Sequence, residues 1–296
     1  MTKHIKPRHE TFIGAEGNKL AADVYGDHGH PVLLLHGGGQ TRHAWRNTAD
    51  AVARAGMIAY AVDQRGHGDS EWVPSGAYAF PDFAADAREL SNKLARRHGV
   101  RPAVAGASLG GIASLTAEGE TAERAEPPLF SALVLVDITP RVDVGGVSKV
   151  QGFMRTHARD GFATVEEAAD AVAAYLPHRP RPKSNEGLKK NLRLHEDGRW
   201  RWHWDPKFLD SRGPDSINRT ERERTLIAAA KALKNPVLLV RGGSSELVHE
   251  SHVREFLDLV PHASYVDVAG ARHMVAGDQN DQFSAAILKF LNDLGY

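Results

Sequence analysis

Short apolar segments alternate along much of the chain with longer segments whose apolar residues recur at helical spacing. The runs Pro31–Leu35, Met57–Val62 and Ala132–Val136 are apolar almost throughout and predict buried strands. Trp45–Ala55 and Phe83–Arg97 carry their apolar residues on one face and predict helices. Strands that are apolar on both faces and alternate with helices are typical of a parallel sheet covered on both sides. The pattern therefore predicts an α/β fold.

The alternation stops in the middle of the chain. From about Arg141 to Thr225 there is no strong apolar strand, although several segments have helical spacing, and the rhythm resumes at Pro236–Val240. An interruption of this length in a doubly wound sheet favours an inserted cap over the strand ends. We therefore predict a core formed by residues 1–140 and 226–296, and a helical cap formed by residues 141–225.

A candidate nucleophile lies between a predicted strand and a predicted helix. Residues 106–110 read Gly-Ala-Ser-Leu-Gly and follow the short apolar run Pro102–Ala105. This fits the nucleophile elbow G-x-S-x-G, in which small neighbours permit a tight turn and the serine projects at a helix N-terminus. Backbone amides and the helix dipole favour developing negative charge there. We predict that Ser108 is the nucleophile; the alternative is a tight turn with a purely structural role.

A serine hydroxyl needs a base to take its proton, and the base needs an acid to orient it. Among the 16 histidines, His273 follows the last predicted strand, where this order of elements places the base. Two carboxylates are candidates for the acid, since both Asp and Glu serve in this role. Glu246, in the loop after Pro236–Val240, is favoured. Asp137, at the tip of the strand that follows the nucleophile helix, is the alternative.

An oxyanion hole requires two backbone N–H groups that point at the developing alkoxide. We expect one from Leu109 and the other from Gly38, within the run His36–Gly39. A phosphate cradle is disfavoured because the run lacks the Lys-Ser/Thr ending of a P-loop. The turn Asp63–Ser70 contains a histidine between glycines, but a structural turn beneath the site is favoured over a metal site.

Tryptophans supply the candidate substrate contacts, which are Trp45, Trp202 and Trp204. The last two belong to the segment Trp200–Trp204, where indoles alternate with Arg and His. At strand-like spacing the indoles share one face, and in a loop they wall a pocket. Packing of the cap on the core is an equally good explanation for them.

Composition excludes several classes of protein. The chain has 296 residues with 37 basic and 37 acidic side chains, so no charge footprint indicates nucleic acid or an anionic membrane. The absence of cysteine excludes disulfides, thiol nucleophiles and Cys-based zinc sites. Met1–Glu10 is polar, and no run approaches the roughly 20 apolar residues of a membrane span. We expect a soluble cytoplasmic protein with a small-molecule partner and no cofactor or metal.

Five segments, taken in order, resemble the α/β-hydrolase superfamily in its capped branch of esterases, lactonases, C–C bond hydrolases and cofactor-free haloperoxidase-like proteins. They are His36–Gly38, Asp63–Ser70, the Ser108 elbow, Arg241–Glu246 and Gly270–Met274. The resemblance implies an eight-stranded, mostly parallel sheet with a helical cap after the sixth strand. Similar epoxide hydrolases and dehalogenases need Asp where this chain has Ser108, so those activities are disfavoured. The similar acid loop usually carries Asp, whereas this chain has Glu246.

The expected activity is hydrolysis of an ester or lactone of a small, fairly apolar substrate through an acyl-enzyme. C–C bond hydrolysis and haloperoxidase-like perhydrolysis are alternatives that keep the same pocket. A hydrolase-fold receptor that binds a small molecule in this pocket is an alternative of another class.

Overall fold

The computed structural model describes residues 5–177, 181–210, 216–273 and 281–296. Residues 1–4, 178–180 and 211–215, and Met274 of the last motif, lie outside these ranges. The strands are β1 (Arg8–Ile13), β2 (Lys19–Tyr25), β3 (Pro31–Leu35), β4 (Ile58–Val62), β5 (Ala103–Ala107), β6 (Leu133–Val136), β7 (Leu192–Leu194), β8 (Trp200–Trp202), β9 (Val237–Gly242) and β10 (Ser264–Val268). The helices are α1 (Arg46–Arg54), α2 (Phe80–His98), α3 (Leu109–Glu123), α4 (Val144–Thr156), α5 (Val165–Tyr175), α6 (Glu186–Lys189), α7 (Lys207–Asp210), α8 (Ser216–Ala232), α9 (Glu250–Leu259) and α10 (Asp281–Asp293), and a short 3₁₀ helix, Arg42–Trp45, precedes α1.

Eight strands form one sheet in the order β1-β2-β4-β3-β5-β6-β9-β10. The β1–β2 and β2–β4 pairs are antiparallel, and all other neighbours in this sheet are parallel. This arrangement confirms the predicted mostly parallel, eight-stranded sheet. Within the described ranges, no helix is long and apolar enough to cross a bilayer.

Burial on both faces explains why the central strands are apolar throughout. Every residue of β3, β4, β5 and β6 is buried. Along β3, Leu33 and Leu35 pack into the apolar cluster that contains α2, α3 and α8, while Val32 and Leu34 pack into the opposite cluster with α1 and α10. Since alternate side chains of a strand point to opposite faces, both faces must be apolar here.

The segment between β6 and β9 contains α4 to α8 and a small hairpin, β7–β8, that the expectation of a helical insert did not include. The predicted cap boundary at residue 225 falls inside α8. The second half of α8 packs on α3, because a Cβ placed on Gly119 would lie 2.4 Å from the Cβ of Ala229. This half of α8 therefore lies against the helices of the sheet, and the division at residues 141–225 stays a prediction.

A buried carboxyl in α3 makes the stability of the fold depend on pH. Glu118 is 4% exposed and accepts hydrogen bonds from the backbone N–H groups of Leu129 and Phe130, at 3.2 Å each. Burial raises the pKa of Glu118 to about 7, from an ordinary value of 4.5. Between these values the folded chain holds a proton that the unfolded chain has lost. The free energy of unfolding therefore falls as the pH rises from the lower to the higher pKa.

Glu118→Gln is expected to remove this dependence, since a glutamine amide keeps the acceptor oxygen and has no proton to lose. Urea denaturation at about pH 5 and pH 8 gives the free energy of unfolding of both proteins. From the lower to the higher pH, that of the variant should rise relative to that of the wild type by on the order of 1 to 3 kcal/mol. Identical pH profiles for the two proteins would contradict the buried, raised pKa.

Candidate active site

Ser108 lies in the sharp turn that joins β5 to α3. Its backbone has φ 45° and ψ −107°, a conformation that is costly for a residue with a side chain. The Ser108 N–H donates to the carbonyl of Val136 at 3.1 Å, which ties the turn to β6. A Cβ at Gly106 would lie 2.4 Å from the Gly110 carbonyl carbon, and one at Gly110 would lie 2.3 Å from the Leu35 oxygen. The glycines of the motif are therefore required by close backbone contacts.

His273 follows β10, and its imidazole contacts Asp137, which follows β6. The two side chains are buried, with 2.7 Å between Nδ1 of His273 and Oδ2 of Asp137. Asp137 also accepts hydrogen bonds from the Gly242 N–H at 3.1 Å and from the Ser245 hydroxyl at 2.8 Å. An ionised carboxylate only accepts hydrogen bonds, so Nδ1 carries the proton and Nε2 is left as an acceptor. This is the arrangement that a general base requires.

Glu246, which the sequence favoured as the acid, does not contact His273 in the structure. Its carboxylate lies 3.1 Å from the guanidinium of Arg272, and 30% of its side chain is exposed. The preceding residue, Ser245, is the one whose side chain faces Asp137. The structure therefore contradicts the preference for Glu246, because the loop directs the Glu246 side chain away from His273. Asp137 is the carboxylate that contacts the imidazole.

Ser245 is a residue of the site that the sequence did not single out. Its hydroxyl donates to Asp137 and accepts hydrogen bonds from the N–H groups of Leu247 and Val248, at 3.1 Å each. It thereby orders the loop after β9 and holds the carboxylate at the same time. The available signal was a pair of serines in the loop after a strand, where short hydroxyl side chains order turns.

The run His36–Gly39 after β3, which we call the glycine loop, presents one amide to the site. The Gly37 N–H donates to Oε1 of Gln40 at 3.0 Å, and the Gly39 N–H donates to Nε2 of His67 at 3.1 Å. For the Gly38 and Leu109 amides, no acceptor occurs among the described residues. Both residues line the same cavity as Ser108. These two amides are the predicted oxyanion-hole donors.

Two buried histidines hold the glycine loop in place. Nδ1 of His36 donates to the Gly37 carbonyl at 2.8 Å, and its Nε2 accepts from the Gln64 N–H at 3.0 Å. Burial lowers the pKa of His36, so its ring stays neutral in this network. His67 lies 2.9 Å from the Arg65 carbonyl through Nδ1, which leaves Nε2 to accept from the loop. In the described part of the chain, no group of three His, Asp or Glu side chains is arranged to hold a metal ion.

A cavity of about 190 Å³ opens next to Ser108 and His273. Most of its wall is apolar and comes from α3, α4 and the segment around α7. Representative wall residues are Ile112, Ile138, Val147, Phe153, Met154 and Phe208. A cavity with apolar walls and a few convergent polar groups is typical of a small-molecule site.

The three candidate tryptophans have different positions. Trp202 and Trp204 line the cavity and are also buried in the apolar cluster between core and insert. Both explanations given for them, packing and pocket lining, therefore hold. Trp45 is fully buried beside α1, in the cluster that contains Val32 and Leu34, and does not line the cavity. Trp45 is therefore a core residue, and its prediction as a substrate contact is wrong.

Comparisons with known proteins identify the family and the fold of the chain. A family model described as the alpha/beta hydrolase fold matches residues 30–278. An esterase from Mycobacterium tuberculosis is 29% identical over 271 residues, covering 89% of this chain and 83% of that protein. A 3-hydroxybutyrate-oligomer hydrolase from Cupriavidus necator is 25% identical over 268 residues, covering 86% and 87%. The crystal structure of E-2-(acetamidomethylene)succinate hydrolase has the same fold, with a TM-score of 0.78, 23% identity and coverage of 97% and 99%.

Gly106→Ala tests whether the elbow requires glycine. The added methyl would lie 2.4 Å from backbone atoms of Gly110, so the variant should lose at least about 2 kcal/mol of unfolding free energy in urea denaturation. Gly152→Ala is the matched control at an exposed position of α4, where no atom lies within 4 Å of the added carbon. This control should be up to about 1 kcal/mol more stable than the wild type. Equal stability of the two variants would contradict the packing described here.

Proposed function

Because the chain belongs to the α/β-hydrolase fold family, we propose that this hydrolase cleaves an ester or lactone of a small, fairly apolar molecule through an acyl-enzyme on Ser108. The observation that carries the proposal is the contact of 2.7 Å between Asp137 and His273, because His273 lines the same cavity as Ser108. The relative from M. tuberculosis is named an esterase, which supports ester cleavage as the reaction.

In the proposed mechanism, the Ser108 hydroxyl attacks the substrate carbonyl while Nε2 of His273 takes its proton. The Leu109 and Gly38 amides donate hydrogen bonds to the oxyanion of the tetrahedral intermediate. Asp137 stabilises the imidazolium that forms and keeps its ring oriented. The intermediate collapses, and the leaving alcohol takes the proton from His273.

The second half of the reaction repeats these steps with water. His273 removes a proton from a water molecule, which attacks the acyl group on Ser108. Collapse of the second tetrahedral intermediate releases the carboxylic acid and returns the proton to Ser108. The three side chains and water balance the reaction, so the proposal requires no metal or cofactor.

We propose that the protein binds a small molecule and that it binds neither nucleic acid nor a membrane. The insert at residues 141–225 is proposed to act as a cap, because α4 and the Trp202–Trp204 segment contribute to the cavity wall. Exclusion of water by such a wall strengthens hydrogen bonds to the oxyanion.

Ser108→Ala is expected to lower kcat for p-nitrophenyl esters or lactones by about 10⁴-fold or more, because the acyl-enzyme can no longer form. A fluorophosphonate should label the wild type at one site per chain and leave this variant unlabelled. Ser114→Ala is the matched control, since this buried serine of α3 donates its hydroxyl proton to the Gly110 carbonyl at 2.8 Å. Undiminished ester hydrolysis by Ser108→Ala, with its fold intact, would refute the proposal.

The same panel of substrates tests two of the alternatives, perhydrolysis and the receptor. Peracid formation in the presence of peroxide that exceeds ester hydrolysis would replace the proposed reaction by perhydrolysis. Stoichiometric labelling of Ser108 without turnover of any ester or lactone would favour the receptor.

Asp137→Asn and Glu246→Gln test which carboxylate orients the base. The amide in Asp137→Asn would no longer hold the imidazole as a carboxylate does, and kcat should fall by about 10⁴-fold. Glu246→Gln should stay within about 3-fold of the wild type, because the exposed pair with Arg272 is worth little. Steady-state kinetics on one ester suffices, and a larger loss in Glu246→Gln than in Asp137→Asn would contradict the assignment.

A further inference from the structure

One side of the cavity is charged, and the charges come from α8. Arg219, Arg222 and Glu223 line the cavity there, and most of the other lining residues are apolar. Glu223 is compensated by two guanidinium groups, with 3.5 Å to Arg219 and 3.5 Å to Arg141. Glu223 therefore pairs with Arg219 and Arg141 and not with Arg222. The positive charge of Arg222 on the cavity wall is left to be explained.

Arg222 is half-buried, and its guanidinium carbon lies 5.7 Å from the centroid of the Phe80 ring. Among the described residues, no carboxylate forms an ion pair with Arg222. A contact with an aromatic face orients a guanidinium but does not neutralise it, and its N–H groups stay able to donate. Phe80 lines the cavity as well, so the oriented cation lies on the cavity wall.

Arg222 and Phe80 reach the cavity from two helices that both pack on α3. Phe80 begins α2, and both α2 and α8 pack against α3, which carries Ser108 at its start. Ile112, one turn into α3, contributes apolar wall to the same cavity. The site thus combines a reacting centre, an apolar wall and a separate cation.

We propose that the substrate carries a carboxylate at the end remote from the scissile carbonyl, and that Arg222 binds it. The planar guanidinium presents paired N–H donors that match a carboxylate, and an apolar surrounding strengthens the contact. The substrate class is an ester or lactone of a dicarboxylic or similar acid, with an apolar chain between its two functional ends. This inference rests on the proposed function for the position of the scissile bond.

The test compares two esters of equal length in the wild type and in two variants. One substrate is a p-nitrophenyl monoester of a dicarboxylic acid with about four to eight carbons, and the other is the neutral p-nitrophenyl alkanoate. The wild type should prefer the acidic ester in kcat/KM by about 10- to 100-fold at the best chain length, as one charge-assisted contact provides. Arg222→Gln should lose this preference, so its kcat/KM falls by about that factor more for the acidic ester than for the neutral one.

Arg224→Gln is the matched control on the same helix. The Arg224 side chain is 74% exposed, pairs with Glu221 at 3.7 Å and does not line the cavity. It should keep the preference of the wild type. Arg222→Glu should reverse the preference in favour of an ester that ends in a trimethylammonium group, which a merely structural role of Arg222 would not produce.

Failure of this inference is distinguishable from failure of the proposed function. Equal kcat/KM for both esters at every chain length, with activity that depends on Ser108, overturns the carboxylate site and leaves the proposed function intact. A preference that survives in Arg222→Gln also overturns it. Hydrolysis of both esters that persists in Ser108→Ala overturns the proposed function itself.

Discussion

The buried contact between the Asp137 carboxylate and the His273 imidazole is the interaction on which the rest of the site depends. A buried carboxylate is costly unless hydrogen bonds compensate it. Asp137 is fully buried and has three such partners, the His273 ring, the Gly242 N–H and the Ser245 hydroxyl. These groups follow or end β6, β9 and β10, which are neighbours in the sheet. The long segment between β6 and β9 therefore has to return the chain beside β6 before this contact can form.

Ser108 and Gly38, the other residues of the candidate site, lie at the same edge of the sheet. Ser108 follows β5 and the Gly38 loop follows β3, and these strands are adjacent and parallel. Functional groups in sheets of this kind gather beyond the carboxyl ends of the strands. Arg222 differs from them because it comes from α8, in the segment between β6 and β9. The framework of the sheet thus positions the residues of the candidate site, whereas this cation comes from outside the sheet, where substrate preference varies most readily.

Local patterns were sufficient to predict the sheet and the sharp turn at Ser108, because strand burial, helix spacing and a glycine-rich turn are each encoded over a few residues. The choice between Glu246 and Asp137 was not encoded in this way. Both loops reach the same edge of the sheet, and the deciding fact is that Ser245 points inward and its neighbour outward. Trp45 was misassigned for a related reason, since an aromatic residue near a helix start looks the same in a pocket wall and in a core. The hairpin β7–β8 was missed because three-residue strands are too short to show a period.

The most direct test of the Asp137–His273 contact is the proton NMR signal of the His273 ring in protein labelled with ¹⁵N-histidine. A buried Nδ1–H that donates to a carboxylate should give a downfield signal protected from exchange with water. Exposed pairs such as His9 with Asp23, where the histidine side chain is 72% exposed, should exchange rapidly. The His273 signal should persist in Glu246→Gln and be lost or move upfield in Asp137→Asn. Loss of the signal in Glu246→Gln, with Asp137→Asn unchanged, would contradict the assignment of Asp137 as the acid.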